Sequence, residues 1–183
     1  MDRKQLLEKI IAREAAMFIA VKASEPADCQ EMLKTFYLMR EMSHSVLAAD
    51  TLTSYLQDLE TAAAAGRNLM TEKYARMENL IPSLNENELI YKIVDIGREW
   101  LSEVHKKYPL TIAVEGGFTT YAVCELETYS DATLNLYYRD IFLAATQKRN
   151  LVEERYQYLY GNLGFKDLEE VEALAQKRAA VKE

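Results

Sequence analysis

Glycine, proline and cysteine are scarce in this chain, with six, three and two copies among 183 residues. So few residues that turn a backbone sharply leave few breaks between elements, and Ala, Leu, Glu, Lys, Met and Arg, which lose least in a helix, take their place. An all-α fold is expected. The two cysteines, Cys29 and Cys124, have no CxxC spacing and are read as free thiols. Basic charge is also short: 22 Lys and Arg stand against 29 Asp and Glu, for a net charge of −7. That balance opposes a nucleic-acid partner, whose phosphates are held by Lys and Arg. No apolar run reaches bilayer length, and the start, "MDRKQLLEKIIAREAAMF", is interrupted by charge every few residues. Neither a membrane span nor a signal peptide is expected, and the cytoplasm is the expected location.

What the chain does have is a repeated phrase. "GRNLMTEKYARM" at 66–77 returns as "KRNLVEERYQYL" at 148–159. An offset of 82 aligns Leu52 with Leu134, Tyr55 with Tyr137, Asp58 with Asp140, Arg67 with Arg149, Asn68 with Asn150, Glu72 with Glu154 and Tyr74 with Tyr156. At an offset of 83, "LLEKII" (6–11) meets "LIYKIV" (89–94), and Met17 meets Trp100. With 49% hydrophobic residues, one domain spanning 1–183 can bury a sizeable core. The expected architecture is an internally duplicated helical bundle, with repeat units at about 3–80 and 86–162 and a terminal helix at about 166–181 covering an open end.

Each unit reads as three helices, at 3–23, 28–46 and 50–80, then 86–107, 117–129 and 131–162. Asp28 with Glu31, and Asn85 with Glu88, have capping-box spacing, while Asp50 and Ser130 or Asp131 suit the N-caps of the third helices. At 100° per residue Leu52, Leu56, Leu59, Ala63, Met70, Tyr74 and Met77 form one stripe. Lys148 stands opposite Gly66, and lysine does not readily take a left-handed conformation, so both third helices are expected to run through unbroken.

The candidate site follows from the polar members of the phrase. Asn68 and Glu72, four apart, have Asn150 and Glu154 as counterparts, and Arg67 and Arg149 stand beside them. A twofold arrangement would bring carboxylates and amides towards one axis, as a small-molecule site between the halves. The structural alternative is that each arginine forks onto the glutamate of the other half and fixes their docking.

Other chemistry is thinner. Glu41 and His44 have the i, i+3 spacing of a carboxylate-bridged metal bundle, but the aligned positions hold Val123 and Leu126, so no metal site is expected. Ser43 and His44 are adjacent and diverge on the helix, which excludes a Ser-His pair. Twelve tyrosines suit wide helix gaps and a self-associating surface.

The run "SYLQDLETAAAAGRNLMTEKYARM", with "MF" at 17–18, "CQ" at 29–30, "TFYLMR" at 35–40 and "ETYSDATLNLYYRD" further on, resembles the bacterial and archaeal domain-of-unknown-function family 4125. The resemblance implies a small helical protein and brings no activity or cofactor with it. Its strongest phrase falls on Tyr55, Asp58, Gly66, Arg67, Asn68, Leu69, Glu72, Lys73, Tyr74 and Met77, and Ala15 stands where the family carries tryptophan. Two readings of function stay open. One is a binding or scaffold module that self-associates; the other is a small-ligand sensor or enzyme using the duplicated Asn, Glu and Arg positions. No motif names a reaction or a cofactor.

Overall fold

The computed structural model describes residues 2–21, 29–114 and 116–181, with side chains throughout except at 29–32. Among the described residues there are nine helices and no strand: α1 (Arg3–Ile19), α2 (Cys29–His44), α3 (Ala49–Ala64), α4 (Leu69–Met77), α5 (Leu89–Lys107), α6 (Phe118–Leu126), α7 (Asp131–Thr146), α8 (Leu151–Asn162) and α9 (Leu168–Ala180). No described helix is long and apolar enough to cross a membrane.

Helix starts follow side-chain chemistry. Asp2 and Gln5 close a capping box on α1, and Asn68, Ser130, Asn150 and Asp167 each accept from backbone N–H groups at the starts of α4, α7, α8 and α9. These caps satisfy amides that the helix itself leaves bare. The Asn85/Glu88 box does not form, because Asn85 accepts from Asn87 N and Asn87 from Leu89 N in successive turns before α5. Asp50 lies in the first turn of α3, whose N-cap is Ala48, and pairs with Arg139 instead. Asp28 and the side chain of Glu31 lie outside what the structure describes.

The third helices are not continuous. Each breaks where the sequence reading runs it through: α3 stops before Gly66, at φ 69°, and α7 before Lys148, at φ 57°. Gly66 N–H bonds Ala63 O at 3.0 Å and Arg67 N–H bonds Ala62 O at 2.8 Å; Lys148 N–H bonds Ala145 O at 3.0 Å and Arg149 N–H bonds Ala144 O at 2.9 Å. Both are Schellman closures. A left-handed lysine costs about 1–2 kcal/mol, and the closure together with the asparagine cap two residues on outweighs it. The break rotates the apolar face, so Ala62 and Lys73 are buried while Ala63 is exposed.

Packing around these breaks makes the core. Helix α1 packs on α2, α3 and α4, and α5 on α6, α7 and α8. Helix α3 lies against α7, α2 reaches α8, and α6 reaches α4. Leu6, Ile10, Leu52, Leu59, Ile90, Val94, Leu134 and Ile141 are buried at the centre, each worth about 1.5–3 kcal/mol. A smaller cluster gathers Leu101, Val104, Ile112 and Val152 with Leu168, the first residue of α9. At the α3/α7 contact Asp58 Oδ2 accepts from Ser130 N–H at 3.0 Å, and Asp140 Oδ2 accepts from Ala48 N–H at 2.9 Å. Each helix thereby caps the start of the other.

Candidate ligand-binding site

Four helices carry charge inward to one point. Glu14 on α1 is fully buried between Ile10, Ile11 and Met17, and Arg40 and His44 face it from one side of α2. Arg40 donates from Nε and Nη2 to Glu14 at 2.9 and 2.6 Å, and from Nη1 and Nη2 to Glu125 of α6, both at 3.0 Å. Lys73 of α4 adds bonds to Tyr121 Oη at 3.0 Å and Glu125 Oε2 at 3.3 Å, with its ammonium 4.4 Å from the Tyr121 ring centre. Tyr55 Oη donates to Glu14 Oε1 at 2.8 Å. His44 Nε2 is 3.2 Å from Arg40 Nη2 and 3.1 Å from Glu14 Oε1, so its tautomer decides whether it accepts from one or donates to the other.

Two carboxylates and two obligate or near-obligate cations thus balance in the interior. Burial raises the pKa of Glu14, but Arg40 and then His44 more than offset this and hold it at about 2. Glu125 is likewise lowered, burial being outweighed by Arg40 and Lys73. Burial pushes Tyr55 and Tyr129 well above the ordinary phenol range, and the Glu125 charge does the same for Tyr121. The cluster is therefore ionic and self-satisfied. Removing one partner of such a buried pair costs about 3–5 kcal/mol.

Beside the cluster lies a cavity of about 620 Å³, between α2, α5, α6, α7 and α8. Its size falls in the range of small-molecule sites, about 300–1,000 Å³. Trp100, Phe118, Leu126 and Ile141 form apolar wall, and Arg40, Glu125, Tyr137 and Arg155 bring polar groups to it. Arg155 Nη2 donates to Tyr137 Oη at 2.6 Å, while its buried Nε has no partner among the described residues. An unmet buried donor costs about 1–3 kcal/mol. The stacked rings of Tyr55 and Tyr129, centroids 4.4 Å apart, separate the Glu14 side of the cluster from Tyr137, which meets Tyr129 edge-on at 6.3 Å.

The six residues singled out in the sequence lie elsewhere in this scheme. Asn68 caps α4 and donates to Met17 O at 2.8 Å; Asn150 caps α8 and donates to Trp100 O at 3.1 Å. The arginine forks do not join the two halves. Arg67 closes on Glu72 at 2.8 and 2.7 Å, and Arg149 on Glu154 at the same distances, each within its own segment. A guanidinium five residues from a first-turn carboxylate reaches it without crossing the bundle. His44 belongs to the Glu14 cluster, and among the described residues no group of three or more His, Cys, Asp and Glu could hold a metal. Cys124 is a free, buried thiol whose pKa burial raises; the Cys29 side chain lies outside the described residues.

Sequence reasoning missed the cluster and Arg155. The available signal was position: Glu14 stands at apolar spacing between Ile10 and Met17, and Arg40 is one turn from His44.

The family described as "Protein of unknown function (DUF4125)" matches residues 4–173. The chain belongs to that family. The matched region contains every residue of the cluster and of the cavity wall. No curated protein and no solved structure matches the chain.

Proposed function

We propose that the protein is an internally duplicated helical binding module whose ligand occupies the 620 Å³ cavity. The repeat units are 3–80 and 86–162. Matched details support the duplication: Schellman closures at Gly66 and Lys148, asparagine caps reaching Met17 O and Trp100 O, and the exchanged Asp58 and Asp140 caps. The packing pairs match as well, α1 on α2, α3 and α4 as α5 on α6, α7 and α8, with α2 on α8 answering α6 on α4.

Under this alignment the cavity has a definite origin. Glu14, Arg40 and His44 correspond to Gly97, Ala122 and Leu126, and Tyr121 and Glu125 to Met39 and Ser43. All five of these smaller or apolar counterparts line the cavity. Of the two places that this alignment relates, each built from both units, one is filled by ion pairs and the other is left hollow. That hollow is the observation that carries the reading, because its volume and its mixed wall of aromatic, aliphatic and a few polar side chains are those of a small-molecule site.

The Arg67/Glu72 and Arg149/Glu154 forks, with Asn68 and Asn150, we assign to fastening the helix junctions. A ligand role for these six would appear as binding lost in Glu72→Gln or Glu154→Gln. The cavity reading is tested by a ligand-observed NMR fragment screen on the wild type and on Ala122→Met, which places side-chain volume in the cavity. Fragments that bind the wild type and not the variant support it; a screen without hits, or with hits indifferent to the variant, contradicts it. Exposed Tyr91 and Tyr158 support a further reading, self-association, which sedimentation at micromolar concentration tests by showing dimer or monomer.

A further inference from the structure

We infer that the cavity takes a small monocarboxylate, an acid with an aromatic or aliphatic body, whose carboxylate is held by Arg155 and Tyr137. This rests on the cavity being the ligand site and adds the chemistry of the ligand.

The argument starts from hydrogen atoms with nowhere to go. Arg155 Nε is buried and without a partner, and Tyr137 Oη, which accepts from Arg155 Nη2 at 2.6 Å, has no acceptor for its own proton among the described residues. The Arg155 Nε–H and the Tyr137 hydroxyl proton therefore sit on the cavity wall with no acceptor among the described residues. A carboxylate, with two oxygens and several lone pairs, accepts from a guanidinium and a phenol together.

The other repeat shows the same frame with its acceptor built in. Tyr55, the counterpart of Tyr137, donates to Glu14 Oε1 at 2.8 Å. At the position corresponding to Glu14 the second repeat has Gly97, which has no side chain to offer. A Cβ there would meet only the Phe118 ring, Cζ at 3.5 Å and Cε1 at 4.0 Å, both ordinary contacts, so crowding does not account for the glycine. What the first repeat supplies as a side chain, the second leaves to a molecule from outside.

Charge selects the number of negative charges. Glu14 and Glu125 are already matched by Arg40 and Lys73, whereas Arg155 pairs with no carboxylate among the described residues. One uncommitted cation suits one negative charge. A phosphate dianion would bring a second charge beside Glu125 with nothing to neutralise it. The apolar wall of Trp100, Phe118, Leu126 and Ile141 then suits the body of the acid.

The test is isothermal titration calorimetry of phenylacetate, indole-3-acetate and octanoate, each beside its neutral amide, on the full chain. At least one acid is expected to bind about tenfold or more tightly than its amide, and Arg155→Gln is expected to remove that preference while leaving any amide binding in place. Amides that bind the wild type as tightly as their acids would overturn the carboxylate assignment and leave the cavity reading standing. A panel in which neither acids nor amides bind would overturn both. The acid-to-amide ratio is read on the wild type, so it does not depend on the variant folding.

Discussion

Arg155 and Tyr137 form a pair of donors joined by a 2.6 Å bond, on α8 and α7, at the wall of a cavity. The residues that the proposed duplication sets opposite them, Lys73 and Tyr55, belong to a network in which each donor meets an acceptor: Tyr55 meets Glu14, and Lys73 meets Glu125 and Tyr121. The contrast between a finished network and an unfinished one is the basis of the functional reading.

The finished network is expected to carry stability. Glu14→Gln leaves the Arg40 charge buried with only Glu125 opposite it, and should lower unfolding free energy by about 3 kcal/mol, measured by urea denaturation at neutral pH. A loss under about 1 kcal/mol would mean that solvent reaches the pair and screens it.

The same carboxylates predict an acid limb. Glu14 falls from its usual 4.5 to about 2 in the folded chain, and Glu125 is lowered too, burial being overcome by Arg40 in both. A depressed folded pKa gives stability that is full above the unfolded value and is lost as pH falls through the folded one. Unfolding free energy should therefore drop from about pH 4.5 towards about 2. Denaturation curves at pH 6, 4 and 3 check this, and Glu14→Gln should flatten the slope.

The two left-handed turns predict opposite signs. Gly66→Ala puts a Cβ on a residue at φ 69° with nothing within 4 Å, so only backbone strain acts, and stability should fall by about 1 kcal/mol. Lys148→Gly relieves the same strain at φ 57° and should raise stability by about 0.5 kcal/mol, since glycine's unfolded-state entropy takes back part of the gain. Thermal melts of both variants decide it; a stabilised Gly66→Ala would contradict the strain argument.

At the junctions the asparagines should matter more than the forks. Asn68→Ala removes the cap of α4 and the bond to Met17 O, a loss of about 1–2 kcal/mol. Glu72→Gln opens a fork whose arginine is half exposed, a loss of less than about 1 kcal/mol. The parallel pair, Asn150→Ala and Glu154→Gln, should show the same order in a denaturation series.

Much of the architecture was legible in residues. Scarce glycine and proline gave the all-α class, and "KDLEEVEALAQKRAAV" gave the terminal helix, observed as α9. The helix breaks run against the preference of Lys148 for right-handed backbone, and their signal is the following Asn150, a strong N-cap that also reads as a possible ligand group. Both facts stood in the sequence, and the cap outweighed the preference. Glu14, Arg40 and His44 were hidden by a different cause. A charged residue is usually solvated, and only tertiary packing shows that α1, α2, α4 and α6 turn four ions towards one another. The hollow opposite them is a property of what Gly97 and Ala122 do not fill, which no single residue announces.

The most direct test places the missing group in the chain. Gly97→Glu supplies a carboxylate at the position that the proposed duplication aligns with Glu14, and Gly97→Gln supplies the same shape without the charge. The account predicts that the glutamate variant melts about 2–4 °C above the glutamine variant at neutral pH, as expected for about 1 kcal/mol gained from a charge-assisted bond to Arg155. A glutamate variant that melts at or below the glutamine variant would contradict it, because a buried anion would then have found no donor waiting.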